Sequence, residues 1–220
     1  MNVSDILLLD PDVLMAERGE GIIGRKVLVF RETASTNDLL LQMGAGREAE
    51  GTLVFALSQS KGKGQHGHKW DSAPTLGLWF SFLLRPVMHA DLSAHLTAFA
   101  ALAVQEACGP QYALDARIKA PNDIYIGGRK VAGILSETRI GKSNFAVIGI
   151  GINVRHKRED FPAELQEKAS SLQCETGREM DLQDAAIAVL KSLNLQYSRF
   201  MKNPVGLHRD YLRETGKFSH

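Results

Sequence analysis

Twelve consecutive residues concentrate the polar chemistry of this chain: Gln59-Ser-Lys-Gly-Lys-Gly-Gln-His-Gly-His-Lys-Trp70. Three glycines (Gly62, Gly64, Gly67), three lysines (Lys61, Lys63, Lys69), two histidines and a tryptophan share the stretch. Glycine orders at a higher entropic cost than any other residue, so a glycine-dense loop is a poor structural connector. It suits a place where backbone must approach an anion, because successive N–H groups form a nest around a phosphate. The lysines add charge, and Trp70 can stack on a base or close over a ligand. The loop is expected to be mobile when empty and ordered by an anion. The alternative is a solvated surface loop, since an isolated G-x-G-x-x-G needs context. No helix with a dinucleotide pattern opens after Gly67, and the ending GK[ST] of a P-loop is absent.

Other candidates are spread along the chain. Ser35, Thr36 and Asn37 are all good N-cap types ahead of Leu39, Leu40 and Met43, which have helical spacing. They are either a plain helix cap or hydroxyls at a helix N-terminus facing a polar ligand. Pro121 breaks the run from Ala116 to Ile126, and Asn122 and Asp123 can brace the turn. Asp123 is read as that brace rather than as a catalytic base. Gly133, Gly149 and Gly151 interrupt apolar runs, where glycine marks a bulge or a close approach to the backbone. With Lys130 and Asn153 nearby, they suggest a ligand lying across these strands. His66 and His68 form a His-x-His pair, read as loop surface rather than as a metal site.

These residues need a scaffold. Runs at 26–31, 52–57, 76–84, 116–126, 130–138 and 145–154 are short and rich in branched and aromatic residues, which predicts strands. A hairpin turn is expected at Gly141-Lys-Ser143. Helices are predicted over 35–43, over the alanine-rich 91–107, over the short 162–168, over 181–193 continuing to Phe200, and over 204–215. Residues 1–24 read as a lead-in or linker. The last helices are expected to be structural. The 220 residues, 44% hydrophobic and 23% charged, fit one globular domain with a small appendage. A net charge of +1 implies no polyanion field, so DNA is not a suggested partner. Cys108 and Cys174 are too few for a disulfide framework or a zinc site and fit a reducing, cytoplasmic setting. No run reaches the roughly 18 apolar residues of a membrane span, and no signal peptide pattern opens the chain.

In order along the chain, four stretches resemble the catalytic domain of biotin–protein ligases, within the biotin/lipoate ligase superfamily. They are Ser35-Thr-Asn37, Gln59 to Trp70, Lys119-Ala-Pro-Asn-Asp123 with Lys130-Val-Ala-Gly-Ile-Leu135, and Gly149-Ile-Gly-Ile-Asn153. The resemblance implies an α+β fold, with a central mixed, largely antiparallel sheet and helices packed on it, resembling class II synthetases. It implies a catalytic domain over 25–215, activation of biotin by ATP with Mg²⁺, and transfer from biotinyl-5′-AMP to a lysine of a biotin carboxyl carrier protein. By position, Lys130 and Lys63 would be catalytic. Ser35, Thr36, Asn37, Gln59, Gly62, Gly64, Gln65 and Gly149 would join both lysines around biotin. Trp70, Lys119, Asn122 and Asn153 would lie with them about the adenylate. Relatives are often dimeric. No helix-turn-helix is expected before residue 25 and no C-terminal β-barrel after His220, so a DNA-binding role is not implied.

The chain also departs from that pattern. Lys63 stands for an arginine of a GRGRRG loop and lacks its bidentate fork. Gln65, His66 and His68 add little charge where relatives are arginine-rich. A charge-assisted hydrogen bond is worth roughly 1.5–3 kcal/mol, so a looser hold on the adenylate is expected unless Lys61 or Lys69 substitutes. Ala120 replaces a tryptophan, and a cavity filled by another side chain is expected there. Lipoate or octanoate ligation is the competing activity. A non-catalytic biotin-binding module is the competing class, against which stand two cations that simple binding does not need.

Overall fold

The computed structural model describes residues 8–86, 92–141 and 144–218. Seven strands form one sheet in the order β1-β2-β3-β7-β6-β5-β4. They are β1 Lys26–Thr33, β2 Thr52–Gln59, β3 Gly77–Leu84, β4 Arg117–Lys119, β5 Asp123–Ile126, β6 Arg129–Arg139 and β7 Phe145–Asn153. Only β1 and β2 pair in parallel; the other five pairings are antiparallel. The mixed, largely antiparallel sheet expected from sequence is therefore present. Parallel pairing needs a crossover, and α2 (Thr36–Ala45) supplies it.

Side-chain alternation divides the core. Leu53, Phe55, Phe80, Phe82, Ile148 and Ile150 point to one face, where α3 (Leu92–Cys108) and α5 (Leu182–Lys202) cover them. Val54, Leu83, Phe145 and Val147 point to the other face and meet Leu40 of α2. Burial on both faces explains why β2 and β3 read as nearly continuous apolar runs. Along the α2 face the side chains then become small. Ser81 pairs across from Gly149, Gly149 from Leu135, and Gly151 from Gly133. Beyond the first turn of α2 the sheet thus presents a shallow, lightly covered surface.

The break expected at Pro121 is the turn of the β4–β5 hairpin. Two other expectations need correction. Residues 162–168 form successive turns rather than a helix, closed by Lys168 N to Leu165 O at 2.9 Å. The described part of the lead-in, residues 8–24, is not a linker. It holds α1 (Pro11–Glu17), capped by Asp10, and buries Leu9, Leu14 and Ile23 in the main core. Residues 1–7, the start of the predicted helix at Asp91 and the turn residues 142–143 lie outside the described residues. The remaining helices are α4 (Leu172–Thr176) and α6 (Pro204–Thr215), the latter with the bounds read from sequence. Among the described residues no helix is long and apolar enough to cross a membrane.

Asn194 of α5 fastens the N-terminal segment. Its Oδ1 accepts from Ile23 N at 2.9 Å, and its Nδ2 donates to Ile23 O at 3.0 Å and Arg18 O at 3.3 Å. Gly21 leaves the room that this side chain occupies. Asn194→Ala strands buried backbone groups, each at a cost of about 1–3 kcal/mol. The expected outcome is a loss of about 2–4 kcal/mol and a fall in Tm of about 5–15 °C by calorimetry. An unchanged Tm would show that residues 8–24 contribute nothing to the body.

Candidate functional site

The light face of the sheet opens into two adjoining cavities. The first, a narrow cleft with a cavity volume of about 50 Å³, is lined by the N-terminus of α2, by Gln59, by the loop residues Lys63, Gly64 and Gln65, and by Gly133, Gly149 and Gly151. The second, about 590 Å³ and more open, includes His68, Asp123, Asn153, His156, Phe161 and Lys168 in its lining. Trp70 and Lys130 line both. They form the partition.

The partition exists because β6 and β7 carry glycine beneath it. A Cβ at Gly133 would stand 2.8 Å from the Trp70 indole, and a Cβ at Gly151 closer still. Gly149 makes the same allowance for the amide of Asn37. These glycines, read from sequence as the bed of a ligand, thus first admit the protein's own side chains. Lys130 Nζ lies 5.1 Å from the centroid of the Trp70 ring, a cation–π contact. The indole meets Trp79 edge-on at 6.3 Å, and its Nε1 is buried without a hydrogen-bond partner. Two backbone bonds close the glycine loop, Trp70 N to Gly62 O at 3.0 Å and Gly64 N to His68 O at 2.8 Å. His66 and Gly67 turn it with positive φ.

At the closed end of the first cavity Ser35 caps α2, its Oγ accepting from Asp38 N. Thr36 N donates to Gln59 Oε1 at 2.8 Å, and Gln59 Nε2 donates to Ser72 Oγ at 2.8 Å. Ser35, Thr36 and Asn37 are buried. The two cations each face a carboxylate: Lys63 pairs with Asp38, and Lys130 Nζ lies 2.7 Å from Asp123 Oδ1 without hydrogen-bond alignment. Asp123 therefore faces Lys130, and the turn bracing belongs to Asn122, whose Nδ2 donates to Ile134 O at 2.8 Å. The backbone of Lys130 is held by a segment expected to be inert. Its N–H donates to Lys168 O at 2.8 Å and its carbonyl accepts from Ser170 N at 2.9 Å. Asn153 donates to Ser170 O at 2.9 Å, fastening the same segment.

Most of the residues singled out by sequence converge here. Gly62 stands behind the lining, beneath the Trp70 carbonyl. Lys119 is an exception: it lines neither cavity, and its Nζ lies over the rings of Tyr125 and Phe218. Ala120 is exposed, so the missing indole leaves no buried hole. No group of three or more His, Cys, Asp or Glu able to hold a metal occurs among the described residues. Burial pushes the Cys108 thiol up to about 12, which removes it as a nucleophile. Sequence reasoning missed Ser72, Ser81, Glu137 and His156. Ser81 had a visible signal, as a hydroxyl inside an apolar strand.

Residues 29–153 match the model of the Biotin/lipoate A/B protein ligase family, more than half of the 220 residues. The chain belongs to this family. It is 32% identical over 182 residues to the bifunctional ligase/repressor BirA of Bacillus subtilis, covering 82% of this chain and 56% of the relative. It is 33% identical over 159 residues to the biotin–[acetyl-CoA-carboxylase] ligase of Mycobacterium tuberculosis, covering 70% and 57%. The chain thus spans little more than half the length of these curated relatives. Among solved structures, the biotin protein ligase from Aquifex aeolicus in complex with biotin and ATP aligns with a TM-score of 0.71 and 31% identity. That alignment covers 81% of this chain and 72% of the other.

His156 gives this family member a pH signature. It is buried, stacked on Phe161 with centroids 4.6 Å apart, and its Nδ1 has no partner. Burial lowers its pKa, outweighing the attraction of Asp71 and Asp160. The unfolded chain therefore takes up the proton first as pH falls. The stability held above about pH 6.5 should decline below it, by at most about 1.4 kcal/mol per pH unit for one group. His208, beside His95, is lowered too and acts in the same direction. His156→Phe should shallow the decline between pH 6.5 and 5 in denaturant titrations. An identical slope would remove His156 as its source.

Proposed function

We propose that this chain is the catalytic unit of an ATP-dependent biotin–protein ligase, with residues 8–24 part of that unit. The observation that carries this reading is the shared wall: two cavities of different character meet at Lys130 and Trp70. One suits an acid with a neutral polar head, and the other suits a nucleotide. In the first, Ser35, Thr36 and Gln59 offer neutral donors and acceptors to a ureido ring. Asn37, Gly64, Gln65 and Gly149 complete its walls, and Gly62 supports the loop. In the second, Asn153 and the Trp70 face would receive the adenosine, with Asn122 at the junction. Mg²⁺ would arrive with the triphosphate, held partly by its phosphates.

The chemistry follows from charge. A biotin carboxylate oxygen attacks the α-phosphorus of ATP, a P–O bond forms, and pyrophosphate leaves with the electrons of the broken bond. Two anionic groups must approach, so fixed cations must offset their repulsion. Lys130 lies at the junction and Lys63 at the rim. Each would exchange its carboxylate partner, Asp123 or Asp38, for the substrate. Both pairs are partly exposed, so parting them costs little. The carrier's lysine amine then attacks the acyl carbon and AMP leaves, so no protein nucleophile is required. Lys119, over the Tyr125 ring at the edge of the second cavity, lines neither cavity and is given no part in this step. A polar closed end favours biotin over lipoate, whose dithiolane carries no N–H group.

Biotin-dependent ATP–pyrophosphate exchange, with lipoate as control acid, tests the proposal. Exchange with biotin alone is expected, falling at least about a hundredfold in Lys130→Ala. No exchange with either acid by the folded protein would leave the binding-module reading. Gln65→Arg is expected to slow release of biotinyl-AMP in a chase experiment. An unchanged rate would show that the sparse charge of the loop does not loosen its hold.

A further inference from the structure

A buried chain of side chains runs behind the polar end of the first cavity, and its direction can be worked out donor by donor. Glu137 of β6 is an acceptor only. Asn37 Nδ2 donates to Glu137 Oε2 at 2.9 Å and lies 3.4 Å from Leu135 O. Two acceptors on that side fix the amide, so Asn37 Oδ1 faces Ser81 and must be met by a hydrogen. Ser81 Oγ supplies it. With its one hydrogen committed, Ser81 can only accept from Thr36 Oγ1, 2.7 Å away. Thr36 Oγ1 also lies 3.2 Å from Gln59 Oε1, but a hydrogen sent there would leave two hydroxyl oxygens 2.7 Å apart with none between them, so the Thr36 hydrogen points inward to Ser81. What Thr36 can offer the cavity is an acceptor. Gln59 Oε1 already accepts from Thr36 N, which keeps the Gln59 amide in the orientation that donates to Ser72. Ser35, whose Oγ accepts from Asp38 N, keeps its hydrogen for the cavity.

Nothing in this chain can be reversed locally. Asn37 and Thr36 are buried and Ser81 is fully so. A flip of the Asn37 amide would set its oxygen against the Glu137 carboxylate and the Leu135 carbonyl, so those two acceptors hold its orientation. The chain starts at the one charged member, the Glu137 carboxylate, whose other oxygen lies 3.9 Å from Arg139.

We propose that Glu137, through Asn37 and Ser81, is a positioning residue that sets the hydrogen-bond polarity of the acid-binding end: acceptor at Thr36, donor at Ser35. This rests on the ligase reading above and sharpens it. The site would select an acid whose head carries an N–H donor beside a carbonyl, as a cyclic urea does. It would reject one that carries neither. Glu137 touches no substrate; it acts by ordering the groups that do.

The test uses the full chain with Glu137→Gln, Glu137→Met and Ser81→Ala. Biotin binding is read by calorimetry, and KM for ATP by biotin-dependent exchange. Gln can keep an acceptor toward Asn37, so Glu137→Gln is expected within about threefold of the parent Kd for biotin. Glu137→Met and Ser81→Ala leave the amide or the Thr36 hydroxyl free to turn. A rise of about tenfold or more in Kd is expected, with KM for ATP within twofold. Side-chain amide NMR of Asn37 should shift in Glu137→Met and stay near the parent position in Glu137→Gln. Biotin binding by the parent with an unchanged Kd in Glu137→Met would overturn this inference alone. Equal weakening of biotin and ATP in all three variants would also overturn it, as a general structural effect. Failure of the parent itself to bind biotin would overturn the proposed function, and this inference with it.

Discussion

The site depends on a steric constraint: three positions on one face of β6 and β7 carry no side chain. With Gly133 and Gly151 bare, the indole of Trp70 can lie against the sheet and draw its loop down. With Gly149 bare, the amide of Asn37 can enter between β3 and β6. The same alternation that sends Phe80, Phe82, Ile148 and Ile150 into the helical core sends Ser81, Gly149 and Gly151 to the opposite face. Bulk on one side provides the stability, and its absence on the other provides the site. Glycine inside a strand weakens pairing. Here the loss is borne at the centre of a seven-stranded sheet, where neighbours on both sides hold the ladder.

The electrostatics follow from that geometry. Each cation is balanced by one carboxylate, so an incoming anion meets neutral pairs rather than bare charge. Because Lys63, Asp38, Lys130 and Asp123 remain partly exposed, water screens both pairs and their net worth is about 0–1 kcal/mol. Such pairs hold a side chain near its working position without competing strongly for it. The backbone of Lys130 is treated differently. Bonds to Lys168 and Ser170 clamp it on the open side of β6, so the ammonium can move while its root does not.

Strand order could not be read from sequence, but strand existence could, because short branched runs between turn formers have few other outcomes. Thr52–Leu57 and Leu76–Leu84 are such runs. The helix at 162–168 failed for the opposite reason: Pro162, Leu165 and Lys168 have helical spacing, yet the segment closes only isolated turns on itself and its end bonds outward to Lys130 of β6. The role of residues 8–24 was hidden because Asp-Pro and repeated glycines read as a linker. Their value lies in a partner more than 170 residues away, Asn194. In the site, residues carried by glycine or loop motifs were legible. Ser81 showed only as a hydroxyl inside an apolar strand and Glu137 had no local signature; the meaning of both arises only when α2 is laid over β3 and β6. Lys119 lies across from Asp123 and over the ring of Tyr125, both of which line the second cavity, without itself lining it.

The glycine loop shows how packing and charge divide their work. An arginine-rich loop could be fastened by forked ion pairs, but this one has Lys63, Gln65 and two exposed histidines. Its ion pair at the rim, Lys63 with Asp38, is too exposed to fasten it. What holds it is neutral: the Trp70–Gly62 and Gly64–His68 backbone bonds, and the indole on its glycine bed. A loop fixed by packing at its root can leave its cation loosely held at the tip. Such a cation can follow negative charge from a carboxylate to a phosphate without the loop unfolding. A lysine at this tip keeps a single charge without the two-pronged fork of a guanidinium.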